Sequence, residues 1–213
     1  MSAEKTIYLV RHGETDFNLR GIVQGSGVDS SLNETGRAQA RHFFERYRET
    51  PFDLVITSGL KRTWETVSLF IDGGLPWEKH ETINEMSWGS HEGKMGTPDS
   101  IAEYKRIKDA WGTGDLDGRI GGGESAREMG ARLEVFLRHL RERPENKILI
   151  CSHGRAMCGL VTLMMGRPLD RMNELTHNNL GLWIADQQPD GNFVFHAEND
   201  RTHLPEPTKT ERW

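Results

Sequence analysis

Two cysteines in 213 residues are too few for a disulfide framework. Cys151 and Cys158 stand in no C-x-x-C or Cys/His ligand spacing, so a thiolate metal module is excluded and a reducing, cytoplasmic setting is expected. Long apolar runs are equally scarce at the start of the chain. Ile7-Tyr8-Leu9-Val10 ends at Arg11, too short for a signal segment or a membrane span. No basic excess exists either: 27 Lys+Arg stand against 32 Asp+Glu, a net charge of −5, which argues against a nucleic-acid coat. No repeat, low-complexity tract or Pro/Ser-rich linker divides the sequence, and one domain over residues 1–213 is the expected organisation.

What is present is an alternation of short apolar runs with helical patterns. Ile7–Val10, Leu54–Ile56 and Ile148–Cys151 read as buried parallel strands, each leading into a turn and a helix. Asn33 reads as the N-cap of a helix carrying Ala40, Phe43, Phe44 and Tyr47. A second helix is expected from about Ser58 to Gly73, with Leu60, Trp64 and Val67 inward. Thr97-Pro98 opens a third helix, with Ile101, Tyr104 and Trp111 on its apolar side. A fourth begins near Gly123-Glu124-Ser125 and stops before Pro144, and a short one follows Cys151 and ends at Gly166. Leu180–Ala185 and Phe193–Phe195, separated by a Pro-Asp-Gly-Asn turn, predict a hairpin at one sheet edge. The expected fold is therefore an α/β three-layer sandwich: a mostly parallel central sheet, helices on both faces and an antiparallel edge strand.

In such a sheet ligands bind beyond the C-terminal ends of the strands. Those positions hold Arg11-His12-Gly13-Glu14-Thr15, Ser58-Gly59-Leu60-Lys61-Arg62 and Ser152-His153-Gly154-Arg155. Two His-Gly pairs and several arginines thus converge on one rim.

The stretch Leu9-Val10-Arg11-His12-Gly13-Glu14-Thr15, with Asn18 following, resembles the signature of the histidine phosphatase superfamily, also called phosphoglycerate-mutase-like. The likeness continues through Gln24-Gly25, Leu32–Gly36, Ser58–Thr63, Asn84-Glu85-Met86, Gly122–Ser125 and Ser152-His153-Gly154, in order, over roughly residues 6–185. It implies His12 as the nucleophile, becoming phosphohistidine, with Arg11, Arg62 and His153 around the phosphate. Arginine suits that task through its permanently charged, bidentate fork. The flanking arginines should also hold His12 neutral by disfavouring a second positive charge.

Glu85 is the expected general acid, with Glu14 as runner-up; Glu85 must then keep its proton until substrate arrives, a state favoured by burial beside Met86 and Trp88. Asn18, Gln24, Gly25, Gly154 and Asn178 complete the expected substrate-binding set, and Asn178 and Asn179 both resemble the family's late asparagine.

Neither a metal nor another cofactor is implied. His91-Glu92 lacks the second histidine of H-E-x-x-H, Cys151-x-x-x-Arg155 is too short for a cysteine phosphatase loop, and Gly121–Gly123 lacks the G-K-[ST] end of a Walker loop. The expected partner is a small phosphorylated substrate, with no nucleic acid and no membrane; a homodimer remains open. Three readings stand: a phosphomonoesterase, a phosphoglycerate mutase, and a phosphate-binding module without turnover. A compact cover at about residues 88–121 favours the first, because a mutase must shield its intermediate from water. Ser31, where the family usually has proline, and Arg155 are departures, and Arg155 is a candidate extension of the anion site. Lys105, Arg106, Lys108 and Arg119 read as a solvated helix face rather than a second anion site. The tail from Asn199 to Trp213 is read either as a flap over the pocket or as an exposed end.

Overall fold

A computed structural model describes residues 5–205. The strands are β1 (Thr6–Arg11), β2 (Leu54–Thr57), β3 (Trp77–Lys79), β4 (Lys147–Ser152), β5 (Leu182–Gln187) and β6 (Phe193–Asp200). They form one sheet in the order β3-β2-β4-β1-β5-β6. The first four pair in parallel, whereas β5 runs antiparallel to β1 and β6 antiparallel to β5. The antiparallel edge is thus a two-stranded hairpin. The helices are α1 (Asp16–Arg20), α2 (Glu34–Tyr47), α3 (Lys61–Asp72), α4 (Pro98–Gly112), α5 (Ala126–Glu142) and α6 (Gly154–Met164).

The central strands are apolar through their middle positions because both faces are covered. Ile7, Leu9, Leu54, Ile56, Ile148 and Ile150 pack on one side with Met129, Leu133 and Phe136 of α5 and Met157, Leu160 and Val161 of α6. Val10, Val55, Leu149 and Cys151 point the other way, to Phe43 and Tyr47 of α2 and Val67 and Phe70 of α3. This alternation of strand side chains between two helix layers is the three-layer α/β sandwich.

Helix punctuation follows local chemistry. Asn33 caps α2 by accepting from Gly36 N–H, and Thr97 and Ser125 form capping boxes with Ser100 and Glu128 at the starts of α4 and α5. Two expectations change. The helix expected from Ser58 begins only at Lys61, because Leu60 is extended and the Ser58 hydroxyl takes the Leu60 N–H. Trp64, expected inward, is exposed, as is Ile101 of α4, whose buried residues are Ile107 and Trp111. The short β3 and α1 had no clear period in the sequence, being only three and five residues long.

Over residues 88–121 the chain makes one 3-10 turn at Gly89–His91 and the single helix α4. Lys105 and Arg106 are exposed, and Arg119 is exposed and paired with Glu128. Both cysteines are buried and unbridged, and burial pushes both thiols up from their ordinary range. None of the helices among the described residues is long and apolar enough to cross a membrane. The last part of the tail, residues 206–213, lies outside the described residues.

Candidate active site

Arg11 ends β1 beside Ser152 at the end of β4, so the segments His12–Thr15 and His153–Arg155 leave the sheet as neighbours. Two glycines make the first segment possible. A Cβ on Gly13 would lie 2.8 Å from the Gly36 carbonyl oxygen, and one on Gly36 would lie 2.1 Å from that of Glu14. The start of α2 therefore lies directly on the loop behind His12, a separation no larger residue permits. From α3, the Thr66 hydroxyl accepts the Gly13 N–H and donates to the Arg62 carbonyl, tying the loop to the helix that carries Arg62.

His12 is buried, and its Nδ1 lies 2.7 Å from the Gly13 carbonyl oxygen. A carbonyl only accepts, so Nδ1 carries the proton and Nε2 keeps its lone pair. Nε2 has no hydrogen-bond partner among the described residues. Burial, then Arg62, then Arg11 hold the imidazole well below the ordinary histidine range, so it is neutral.

Arg62 is fully buried and donates three ways: Nε to His153 Nδ1 at 3.2 Å, Nη1 to the Val28 carbonyl at 2.6 Å and Nη2 to the Gly25 carbonyl at 3.3 Å. Burial lowers it to about 10, which still leaves it charged near neutrality. Because Arg62 can only donate, His153 Nδ1 must accept, and its proton sits on Nε2, 2.8 Å from the Ser58 hydroxyl. Ser58 also receives the Leu60 N–H and passes its own proton to Thr63, whose hydroxyl bonds the Leu60 carbonyl. The tautomer of His153 is thus set by a chain of four side chains. Burial, then Arg62, His12 and Arg11 keep this ring neutral as well, and the two imidazoles meet edge to face with centroids 5.2 Å apart.

Both ring nitrogens of His153 are engaged, one with Arg62 and one with Ser58, and the ring orients Arg62. Arg11 directs Nη1 to the His177 carbonyl at 2.6 Å. Glu85 is buried; Oε1 accepts N–H groups of Met86 and Ala156, and Oε2 that of Arg155. It thereby caps α6, whose N-cap residue His153 makes no side-chain cap bond of its own. Glu14 instead accepts from the Asn33 amide at the start of α2, so its oxygen serves that helix.

Asn179, not Asn178, is the asparagine beside the His12 loop. Its amide donates to the His12 carbonyl at 2.8 Å and faces Asn18 Oδ1 at 3.4 Å, whereas Asn178 meets Asn199 through its backbone N–H. Gln24 Oε1 accepts from Thr15 and Ser30, and Asn18 Oδ1 accepts the Thr15 N–H. Gly25 takes part through its carbonyl, and Gly154 lies against the Arg11 guanidinium, where a Cβ would meet Cζ at 3.5 Å. Arg155, the candidate extension of the anion site, is engaged by other side chains. Its guanidinium bonds Tyr104 of α4 at 2.5 Å and Asn173 at 3.0 Å, tying α4 to the start of α6.

Sequence reasoning passed over Ser58 and Thr66 as contributors. Ser58 directly follows a strand, and Thr66 stands close behind Arg62 in the stretch that resembles the family's second arginine motif; neither was assigned a supporting role.

The model of the histidine phosphatase superfamily, branch 1, matches residues 7–200. The chain belongs to this superfamily. A histidine phosphatase superfamily relative from Serratia proteamaculans, named as a probable phosphoglycerate mutase GpmB, is 33% identical over 96% of this chain and 97% of its own. One from Erwinia tasmaniensis with the same name is 34% identical over 93% and 94%. Among solved structures, the alpha-ribazole phosphatase from Shigella flexneri superposes with a TM-score of 0.81 at 26% identity, covering 95% of this chain and all of the other, 100%.

Proposed function

We propose that this histidine phosphatase superfamily member is a phosphomonoesterase that hydrolyses a small phosphorylated metabolite through phosphohistidine on His12. The single observation that carries the reading is the unprotonated Nε2 of a buried, neutral His12, without a hydrogen-bond partner among the described residues and lying among Arg11, Arg62 and His153. Nε2 attacks phosphorus in line as the bond to the leaving oxygen breaks, and the guanidinium charges of Arg11 and Arg62 balance the equatorial oxygens. Nδ1–H, held on the Gly13 carbonyl, stabilises the ring as Nε2 takes up the phosphoryl group. Asn18 offers its amide N–H group, since its oxygen is already occupied by Thr15.

Glu85 gives its proton to the leaving oxygen and then takes one from the water that attacks phosphohistidine. Oε2, with a single backbone donor, is the oxygen with room for this traffic, while Oε1 stays anchored by two N–H groups. When phosphate binds, His153 can redirect Nε2–H from Ser58 toward it without changing charge.

The names of the Serratia and Erwinia relatives favour a second reading, isomerisation of a phosphoglycerate. Against it, the cover carries only the helix α4 and one 3-10 turn, and the Arg155 guanidinium of α6 is spent on Tyr104 and Asn173 rather than left to hold a second acidic group. A compact cover admits the water that hydrolysis requires. The deciding experiment measures phosphate release from an aryl phosphate and a panel of phosphorylated metabolites in EDTA, beside a phosphoglycerate isomerisation assay with and without a bisphosphoglycerate primer. Hydrolysis in wild type and its loss in His12→Ala are expected, with vanadate inhibiting. Full turnover in His12→Ala, or primed isomerisation outpacing hydrolysis, overturns the reading.

A further inference from the structure

Glu78 of β3, His80 just beyond it and His139 of α5 gather on the side of the molecule formed by the sheet edge, outside the catalytic loops. Each offers one ligand atom, and these atoms all lie within 4.8 Å of one another. His80 Nε2 stands 3.3 Å from Glu78 Oε2, and His139 Nε2 stands 4.0 Å from the same oxygen. The two imidazoles face each other with centroids 4.6 Å apart. His139 Nε2 is buried and has no hydrogen-bond partner among the described residues, an exception that calls for a physical reason.

We propose that Glu78, His80 and His139 form a binding site for a divalent transition cation of the zinc class, with water at the fourth position. Zinc takes imidazole nitrogen and carboxylate oxygen at about 2.0–2.2 Å, which sets tetrahedral ligand atoms roughly 3.3–3.5 Å apart. The His80–Glu78 pair already has that spacing. His139 Nε2, 4.0 Å from Glu78 Oε2, closes that distance to the tetrahedral spacing with a movement of roughly half an ångström.

Charge is compatible with such an ion. Arg143, one turn beyond His139, binds both oxygens of Glu78, and Glu145 in turn pairs with Arg143. Glu78, Arg143 and Glu145 together carry one net negative charge, and neutral imidazoles add none, so a dication leaves the cluster at plus one. Arg143 also locks the carboxylate orientation from behind, the outer support that metal ligands commonly have. Arg143 holds Oε1 at 2.8 Å and Oε2 at 3.1 Å, and Oε2, the oxygen that faces both imidazoles, is the one placed to ligate.

Position gives the site a consequence. β3 is a three-residue edge strand, and His80 leads through the turn Glu81–Ile83 to Glu85. A cation shared by β3 and α5 fastens the segment that carries Glu85 to the body of the protein, without touching phosphate. The site is independent of the phosphatase reading, and its test reads binding and stability rather than turnover.

The experiment titrates ZnCl2 into the full chain, untagged and stripped with EDTA, by calorimetry, and follows CoCl2 by its visible d–d absorption. One equivalent is expected at micromolar dissociation constant or tighter, with a metal-dependent rise in Tm. Glu78→Gln, His80→Gln and His139→Gln should each weaken binding at least tenfold and abolish that rise, while His12→Asn should leave binding unchanged. Should one variant fail to fold, the other two and the zinc-induced shift of the His80 and His139 ring 15N resonances in wild type read the same site. Absence of saturable binding up to millimolar metal, or binding unchanged in the His80 and His139 variants, overturns the proposal.

Discussion

His177 is buried against the Trp183 ring with neither ring nitrogen hydrogen-bonded among the described residues, while its carbonyl holds Arg11. Burial first, then Arg11 and Arg155, lower it to about 3. Replacing the side chain with leucine removes a buried donor and a buried acceptor without partners, yet keeps a similar volume and leaves the carbonyl in place. An unmade buried hydrogen bond costs about 1–3 kcal/mol, so His177→Leu should be more stable than wild type by at least about 1 kcal/mol near neutrality.

Acid widens the gap. The folded value lies below the unfolded value of 6.5, so the unfolded chain binds the extra proton and stability falls as pH drops through 6.5 toward about 3. Between about pH 7 and about pH 5.5 that single linkage amounts to about 1.2 kcal/mol, absent from the leucine variant. Urea unfolding at both pH values, followed by tryptophan fluorescence, measures the two differences. A variant less stable than wild type at pH 7, or one that loses as much stability on acidification, refutes the argument.

Gly36→Ala should destabilise by more than about 2 kcal/mol and lower activity together, because its Cβ meets the Glu14 carbonyl oxygen at 2.1 Å and must displace the His12 loop; thermal melts beside initial rates check both. Arg62→Lys keeps the charge but leaves two of the three acceptors Gly25 O, Val28 O and His153 Nδ1 unpaired, so a loss of about 2–4 kcal/mol in unfolding free energy is expected. Its kcat/KM should fall by roughly a hundredfold, since an ammonium cannot reproduce the fork. His12, depressed by burial and the two arginines, should stay neutral as pH falls through 6.5, so its ring proton resonances should not titrate between about pH 7.5 and about pH 6. A midpoint near 6.5 would contradict that environment.

Much of the fold was legible because strands buried on both faces must be apolar at every position, as Ile148–Cys151 are, and because Asn33, Thr97 and Ser125 announce helix starts by their own side chains. Trp64 was misread as inward since it shares a helical stripe with Leu60 and Val67, while only the neighbouring elements decide how wide that stripe is buried. Asn178 and Asn179 were indistinguishable because adjacent residues in an irregular segment have no period to assign them a side.

The sequence alone determined the chemical groups at the rim: His12, His153, Arg11 and Arg62 follow strand ends, and strand ends in a parallel sheet share one edge. Tertiary structure decided what those groups are in a position to do. It put the proton of His12 on Nδ1, occupied both nitrogens of His153 with Arg62 and Ser58, chose Asn179, and set Glu85 on the first turn of α6. Hydrogen-bond direction depends on partners that lie far apart along the chain, so local pattern names the donors and acceptors but only the assembled fold pairs them.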